Sequence, residues 1–183
     1  MFTNVVHADV SHAAIIASIG KKSFRTAFEH VFDNRVDMLE YLEYTYDPVK
    51  LAKSLRKENN IYLLAYHGNE PAGFAKVKKH SLNDEIESGA QMELQKIYVL
   101  PAFQAMGIGS ALMKEIKLIA KFLYPDYIWL DAHIGNEHAI RFYERHGFQK
   151  IGSDFLTIGS QSFEYLLMGI GVASNVTVGS LES

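Results

Sequence analysis

Hydrophobic and polar positions alternate with two different periods along this chain, and the change comes near Asn59-Asn60. Before it the pattern is mostly helical. Val5–Ala8 reads as a short strand, and Ser11 as the cap of a helix over His12–Ile19 that bends or breaks near Gly20. Phe24, Phe28 and Phe32 recur every four residues and predict one shared helical face. Asp47-Pro48 supplies an N-cap and a first-turn proline, which turns Leu51 and Leu55 inward. After it the pattern is strand-like: Ile61–Tyr66, a turn at Gly68–Pro71, and a return strand Ala72–Lys78. A polar connection, His80–Ala90, leads to a strand at Glu93–Val99 closed by Leu100-Pro101.

Gly107–Leu123 is the clearest helix. Ile108, Leu112, Ile116, Ile119 and Leu123 form its apolar stripe, with Lys114, Lys117 and Lys121 opposite. Pro125 stops it before a strand at Tyr127–Ala132. Asn136 caps a second helix that ends at Gly147, and Phe148–Gly152 and Ser162–Met168 read as two more strands. Strand, helix, strand, helix, strand in that order predicts a mixed α/β single domain with parallel crossovers, over residues 1–170. Gly171–Ser183 is small and polar, and a frayed tail is expected there.

Composition narrows the function. Hydrophobic residues at 48% and charged residues at 21% are those of a globular chain, so disorder throughout is excluded. A net charge of −3 provides no general field for nucleic acid or an anionic membrane. The absence of cysteine removes disulfides, thiolate metal sites and a Cys nucleophile. The N-terminus has no signal-peptide pattern, and no apolar run reaches the roughly 18 residues of a membrane span, so a cytoplasmic protein is expected.

The informative stretch is Gln104-Ala105-Met106-Gly107-Ile108-Gly109-Ser110, between a strand and a helix. The first N–H groups of a helix lack intrahelical partners, and its dipole is positive at that end, so such a turn suits a pyrophosphate. Glycines at 107 and 109 leave the backbone open to close approach. A Walker loop would need Gly-Lys-Ser/Thr, and a dinucleotide fingerprint a small residue at Leu112; neither is present. A plain strand-to-helix turn is the other reading of these residues.

Gln104-x-x-Gly107-x-Gly109 resembles the acyl-CoA signature of the GNAT superfamily of N-acetyltransferases. Asn136-x-x-Ala139-x-x-Phe142-Tyr143-x-x-x-Gly147-Phe148 resembles that family's second motif at the expected distance. Glu93–Val99 and the Phe24–Tyr46 region are similar to the bacterial spermine/spermidine branch. The resemblance implies a sheet of about six to seven strands flanked by helices. Two parallel strands, Glu93–Val99 and Tyr127–Ala132, would be splayed to hold acyl-CoA. It implies that the backbone of Ile97, Tyr98 and Val99 pairs with the pantetheine arm. The N–H groups of Ala105, Met106, Gly107, Ile108, Gly109 and Ser110, following Gln104, would hold the pyrophosphate. Asn136 would touch the cofactor arm, and Tyr143 would lie near its sulfur.

Acetyl transfer to an amine needs a base for the ammonium, a donor for the developing oxyanion and an acid for the leaving thiolate. The resemblance implies Glu93 as base, directly or through water, the Ile97 N–H as oxyanion donor and Tyr143 as acid. On the residues alone, Glu93 is equally a solvent-facing strand glutamate and Tyr143 a core tyrosine. The histidines, His133, His138 and His146 among them, show no metal spacing, and no metal is expected. Glu29, Asp33, Asp37 and Glu40 fall at helical spacing, with Tyr41, Tyr44 and Tyr46 nearby. They read either as a solvated face or as an acidic mouth for a small polycation such as spermidine. A protein or peptide amine, or an acyl-CoA-binding module without turnover, are the alternatives. The assembly expected is a monomer or homodimer.

Overall fold

The structure, a computed structural model, describes residues 2–172. Seven strands make one sheet: β1 (Thr3–His7), β2 (Asn60–His67), β3 (Glu70–Lys78), β4 (Gln91–Val99), β5 (Tyr127–His133), β6 (Gln149–Ile158) and β7 (Gln161–Gly171). Their order is β1-β2-β3-β4-β5-β7-β6. Every neighbouring pair is antiparallel except β4–β5. The helices are α1 (Ala13–Phe28), α2 (Arg35–Thr45), α3 (Pro48–Leu55), α4 (Ile108–Leu123) and α5 (Glu137–Arg145).

Helices cover both faces of the sheet, which is why Tyr62–Ala65 reads as an unbroken buried run. Leu63, Ala75, Met92, Leu94, Ile128 and Leu130 point to one core with α4 and α5. Tyr62, Leu64 and Phe74 point to the other, with Ile16, Phe24, Met38 and Leu42 of α1 and α2. The α4 stripe is rotated slightly from expectation. Met113 and Ala120 are buried with Leu112 and Ile116, while Leu123 is carried off the sheet at the last turn and stays exposed.

The N-terminal half departs most from the sequence reading. Ser11 does not cap α1: Asp9 caps a 3-10 turn, Val10–His12, that leads into it, its carboxylate accepting the Ser11 N–H at 2.8 Å, and His12, the N-cap of α1, makes no side-chain cap bond. α1 continues unbroken through Gly20, and the glycine is needed there because a side chain would meet the fully buried Tyr46 ring of the segment after α2. Phe28 ends α1 and Phe32 lies in extended backbone after a 3-10 turn, Glu29–Val31. The three phenylalanines still cluster, with Phe24 ring centroids 4.7 Å from Phe28 and 6.1 Å from Phe32.

The acidic residues do not share a helical face. Glu29 is in the 3-10 turn, Asp33 in a connection, and only Asp37 and Glu40 are on α2. Asp37 is a staple: it accepts the Ser160 N–H at 2.8 Å and its hydroxyl at 2.7 Å, tying α2 to the β6–β7 turn. That turn needs Gly159 (φ +58°), against which the Asp37 carboxyl packs. β6 and β7 are correspondingly longer than their apolar cores suggest. Gly171 belongs to β7 opposite Tyr127, and residues 173–183 of the expected tail lie outside the described residues. Among the described residues no helix is long and apolar enough to cross a membrane.

Gly20→Ala tests the α1 constraint. In a helix that change ordinarily stabilises by about 1 kcal/mol. Here overpacking against Tyr46 costs about 1–3 kcal/mol. Urea unfolding should therefore show a net loss of stability instead of the usual gain.

Candidate active site

β4 and β5 pair at only three positions, Gln91↔Tyr127, Met92↔Ile128 and Glu93↔Trp129. Beyond them β4 stays with β3 as far as Gly73↔Val99, and β5 stays with β7 as far as His133↔Tyr165. The two parallel strands therefore part, as expected, with Glu93 and Trp129 at the vertex. A bulge drives the parting. Lys76 faces Lys96 and Val77 faces Leu94, which leaves Gln95 unpaired and bends β4. Along Ile97, Tyr98 and Val99 one edge of the backbone bonds β3, and the other faces the gap without a strand partner.

β4 leads through Leu100 and a 3-10 turn, Pro101–Phe103, into the glycine turn. Gln104 is extended and exposed, Ala105 has φ +61° and Gly107 has φ +79° as the N-cap of α4. No N–H from Ala105 to Ser110 donates to a backbone or side-chain acceptor among the described residues; the first closing bond is Ala111 N–H to Gly107 O at 2.9 Å. Six successive free donors at the positive end of a sixteen-residue helix form an anion cradle.

The two glycines serve different purposes. Around Gly107 a side chain would meet open space, and its requirement is the left-handed backbone. At Gly109 a Cβ would press the Phe142 ring at 3.3 Å, so this glycine lets α4 and α5 approach. Met106 points to solvent, and Ile108 is buried and anchors the turn to the core. The Ser110 hydroxyl lies 3.4 Å from His146 Nε2.

Asn136 caps α5, its Oδ1 accepting the Ala139 N–H at 3.1 Å. It lines a cleft of about 270 Å³ with Phe28, Val31, His133 and His138. Tyr143 is 8% exposed, its ring against Phe142 and Phe148. Burial pushes its phenol well above the ordinary tyrosine value, and its hydroxyl bonds to nothing among the described residues.

Glu93 is 9% exposed and is not a free carboxylate. Its Oε2 accepts the Ser81 hydroxyl at 2.7 Å and pairs with Lys78 Nζ at 3.2 Å. Ser81 is held there because its carbonyl accepts the Trp129 indole N–H at 2.8 Å. The connection His80–Ala90, polar in sequence, is fastened by Gln91, whose amide donates to the carbonyls of Asn83, Ile86 and Ser88.

Sequence reading missed two features. Lys76 and Lys96 stand opposite one another with no carboxylate partner among the described residues, each Nζ 5.5 Å from a tyrosine ring, Tyr62 and Tyr46. Desolvation, led by burial, lowers both ammonium groups to about 8. Asp131, two residues past the last paired position on β5, reaches solvent, yet its carboxyl rises to about 6. Partial burial of the carboxyl is the first cause, and the charges of Asp154 and Glu93 add to it. The signal in the sequence was alternation: Ile128, Leu130 and Ala132 are buried, so Asp131 and His133 face the other side. Among the described residues no group of acidic or histidine side chains could hold a metal ion.

The acetyltransferase (GNAT) family model matches residues 19–148. The chain is 29% identical over 121 residues to the spermine/spermidine N(1)-acetyltransferase of Bacillus subtilis, covering 66% of this chain and 76% of that one. It is 28% identical over 105 residues to the N-alpha-acetyltransferase RimI of Mycobacterium tuberculosis, covering 57% of this chain and 62% of that one. In fold it is similar to the PaiA N-acetyltransferase of Thermoplasma acidophilum in complex with coenzyme A. The TM-score is 0.73 at 16% identity, over 94% of this chain and 100% of that one. The family match spans well over half of the chain and contains the parted strands and the glycine turn, so this protein belongs to the GNAT family of acetyltransferases.

Proposed function

We propose that this acetyltransferase moves the acetyl group of acetyl-CoA onto a small primary amine, a polyamine such as spermidine being the acceptor of choice. The observation that carries the donor half is the row of unbonded N–H groups from Ala105 to Ser110 at the open end of the parted strands. Those donors take the pyrophosphate. The unpaired edge of Ile97–Val99 accepts an extended pantetheine arm as a strand would be accepted. Ile97 donates its N–H to the acetyl oxygen as charge develops there. Tyr143 gives its proton to the departing sulfur; its hydroxyl makes no other bond among the described residues. Asn136, with Oδ1 committed to its cap, has only its amide N–H groups left for the cofactor arm.

The polyamine reading rests on the similarity to the Bacillus subtilis enzyme more than on the acidic run. Glu29 pairs with Arg35 at 3.5 Å, Glu43 pairs with Lys21 at 2.6 Å, and Asp37 holds Ser160. Asp33 and Glu40 keep side chains without partners among the described residues, and Asp131 and Asp154 are exposed on β5 and β6. The similarity to RimI favours a second acceptor, the terminal amine of a peptide.

Three measurements bear on this. Gly107→Glu places a carboxylate in the cradle, where the added Cβ has open space and the left-handed backbone costs about 1–2 kcal/mol. Calorimetry should show acetyl-CoA binding weakened at least about tenfold, roughly 1.4 kcal/mol, in a folded protein; unchanged affinity would remove the pyrophosphate from this turn. Tyr143→Phe should lower kcat about 10- to 1000-fold with acetyl-CoA affinity intact, and an unchanged rate of the chemical step would leave Tyr143 a packing residue. In an amine panel, spermidine should exceed propylamine in kcat/KM, with a KM that rises with salt as exposed charges are screened over about 8 Å. A panel led by a peptide N-terminus would assign the second acceptor instead.

A further inference from the structure

The resemblance to the family points to Glu93 as the base, but the structure gives that carboxylate other work. It sits at the vertex where β4 and β5 still pair, closed in by Lys78 at 3.2 Å and the Ser81 hydroxyl at 2.7 Å. Both contacts fall on Oε2 and tie the side chain to β3 and to the connection before β4, at the end of the fork where the strands are still paired. Asp131 stands two residues further along β5, on the same side of the sheet as Trp129, where the strands have already parted. It makes no ion pair or side-chain hydrogen bond among the described residues. Across β7 it faces Leu167, and beyond Leu167 lies Gly152 of β6, which has no side chain to shield Asp131 from Asp154.

We propose that Asp131, and not Glu93, takes the proton from the acceptor ammonium; this rests on the acetyl-transfer reading above. The ammonium loses one proton to the Asp131 carboxylate, directly or through one water, and becomes a neutral amine. Its lone pair forms the C–N bond to the acetyl carbon as the C–S bond breaks and its electron pair goes to sulfur. Tyr143 protonates the sulfur and is itself reprotonated by the second proton leaving the new amide nitrogen. Asp131 then releases its proton to solvent, so the turnover yields amide, thiol and one free proton. Glu93 is a positioning residue: with Lys78, Ser81 and Trp129 it fixes the vertex from which the strands part.

The groups around Asp131 set its behaviour. Glu93 faces it from β4, with Lys78 behind and Lys96 past the bulge; Asp154 faces it from β6 and Tyr165 from β7; His133 follows on its own strand, and Tyr41 of α2 lies against Tyr165. The carboxyl is pushed up to about 6 by desolvation first, then by the charges of Asp154 and Glu93. Deprotonation on raising the pH switches the base on, so kcat/KM gains an acidic limb near that value, apart from the substrate's own titration at higher pH.

The test is the pH profile of kcat/KM for the full chain with spermidine and acetyl-CoA, in the wild type and in three isosteric variants. Asp131→Asn should abolish the acidic limb and lower kcat about 10²- to 10⁴-fold, while calorimetric acetyl-CoA affinity and the circular dichroism spectrum stay as in the wild type. Asp154→Asn and Glu93→Gln each remove a neighbouring negative charge, so the limb should persist and move to lower pH. Carboxyl-carbon NMR of the ligand-free protein gives a readout apart from activity: one aspartate should titrate near 6 and vanish in Asp131→Asn. A limb lost in Glu93→Gln and kept in Asp131→Asn would overturn the assignment and return the base to Glu93. A wild type that binds acetyl-CoA but acetylates no amine would overturn the acetyl-transfer reading instead, whatever the NMR titration shows.

Discussion

Two parallel strands that run side by side and then stop pairing leave backbone donors and acceptors without partners, and a protein interior tolerates few of these. In this chain the pairing of β4 with β5 ends at Glu93↔Trp129, and the rest of the site depends on that ending. The bulge at Gln95 turns β4 away, and β3 and β7 hold the outer edges of the two arms. An extended ligand that carries amides can complete the inner edge of β4, so the defect in the sheet becomes a selective one. The glycine turn stands where β4 delivers the chain, which couples the unpaired edge and the anion cradle through one short connection, Leu100–Gln104.

Keeping the strands apart requires a firm vertex. Glu93 is central to it: Lys78 reaches it from β3, Ser81 from the connection, and Trp129 of β5 holds Ser81 by its carbonyl. Gln91 fastens the remainder of that connection, and Ile86 packs on Trp129 and Leu167. Buried charges of this kind stabilise only when all their partners are present. The same network anchors the Glu93 carboxylate, through Oε2, to the closed end of the fork.

The two faces of the sheet divide the labour. Tyr143 belongs to the core under α4 and α5, where burial keeps its phenol protonated. Glu93, Asp131, Lys76 and Lys96 belong to the opposite face, with the aromatic residues of α1 and α2 above it. The gap between β4 and β5 is where groups of the two faces meet. The two groups thus sit in different environments, Tyr143 in the core and Asp131 on an exposed stretch of β5, and burial raises the pKa of both.

Much of the second half of this protein is legible in its residues. The succession of strands and helices along the chain, most of the α4 stripe and the Gln104–Ser110 turn follow from local periodicity and from what glycine and helix ends do, so they are fixed within a few residues of chain. Gln104-x-x-Gly107-x-Gly109 and the Asn136–Phe148 motif carried the family and the parted strands with them. What the tertiary structure decided is long-range. Gly20 reads as a helix breaker until the Tyr46 ring is seen against it, and the acidic run reads as a face until Asp37 is found on Ser160, 123 residues away. Glu93 reads as a solvent-facing glutamate or a base until Lys78 and Ser81 are found on its Oε2, and Asp131 reads as an ordinary strand aspartate until Asp154 and Glu93 are found near it. A residue's type and its local period are properties of sequence; whether its charge is paired, hydrated or crowded depends on neighbours that only the folded sheet brings within a few ångströms.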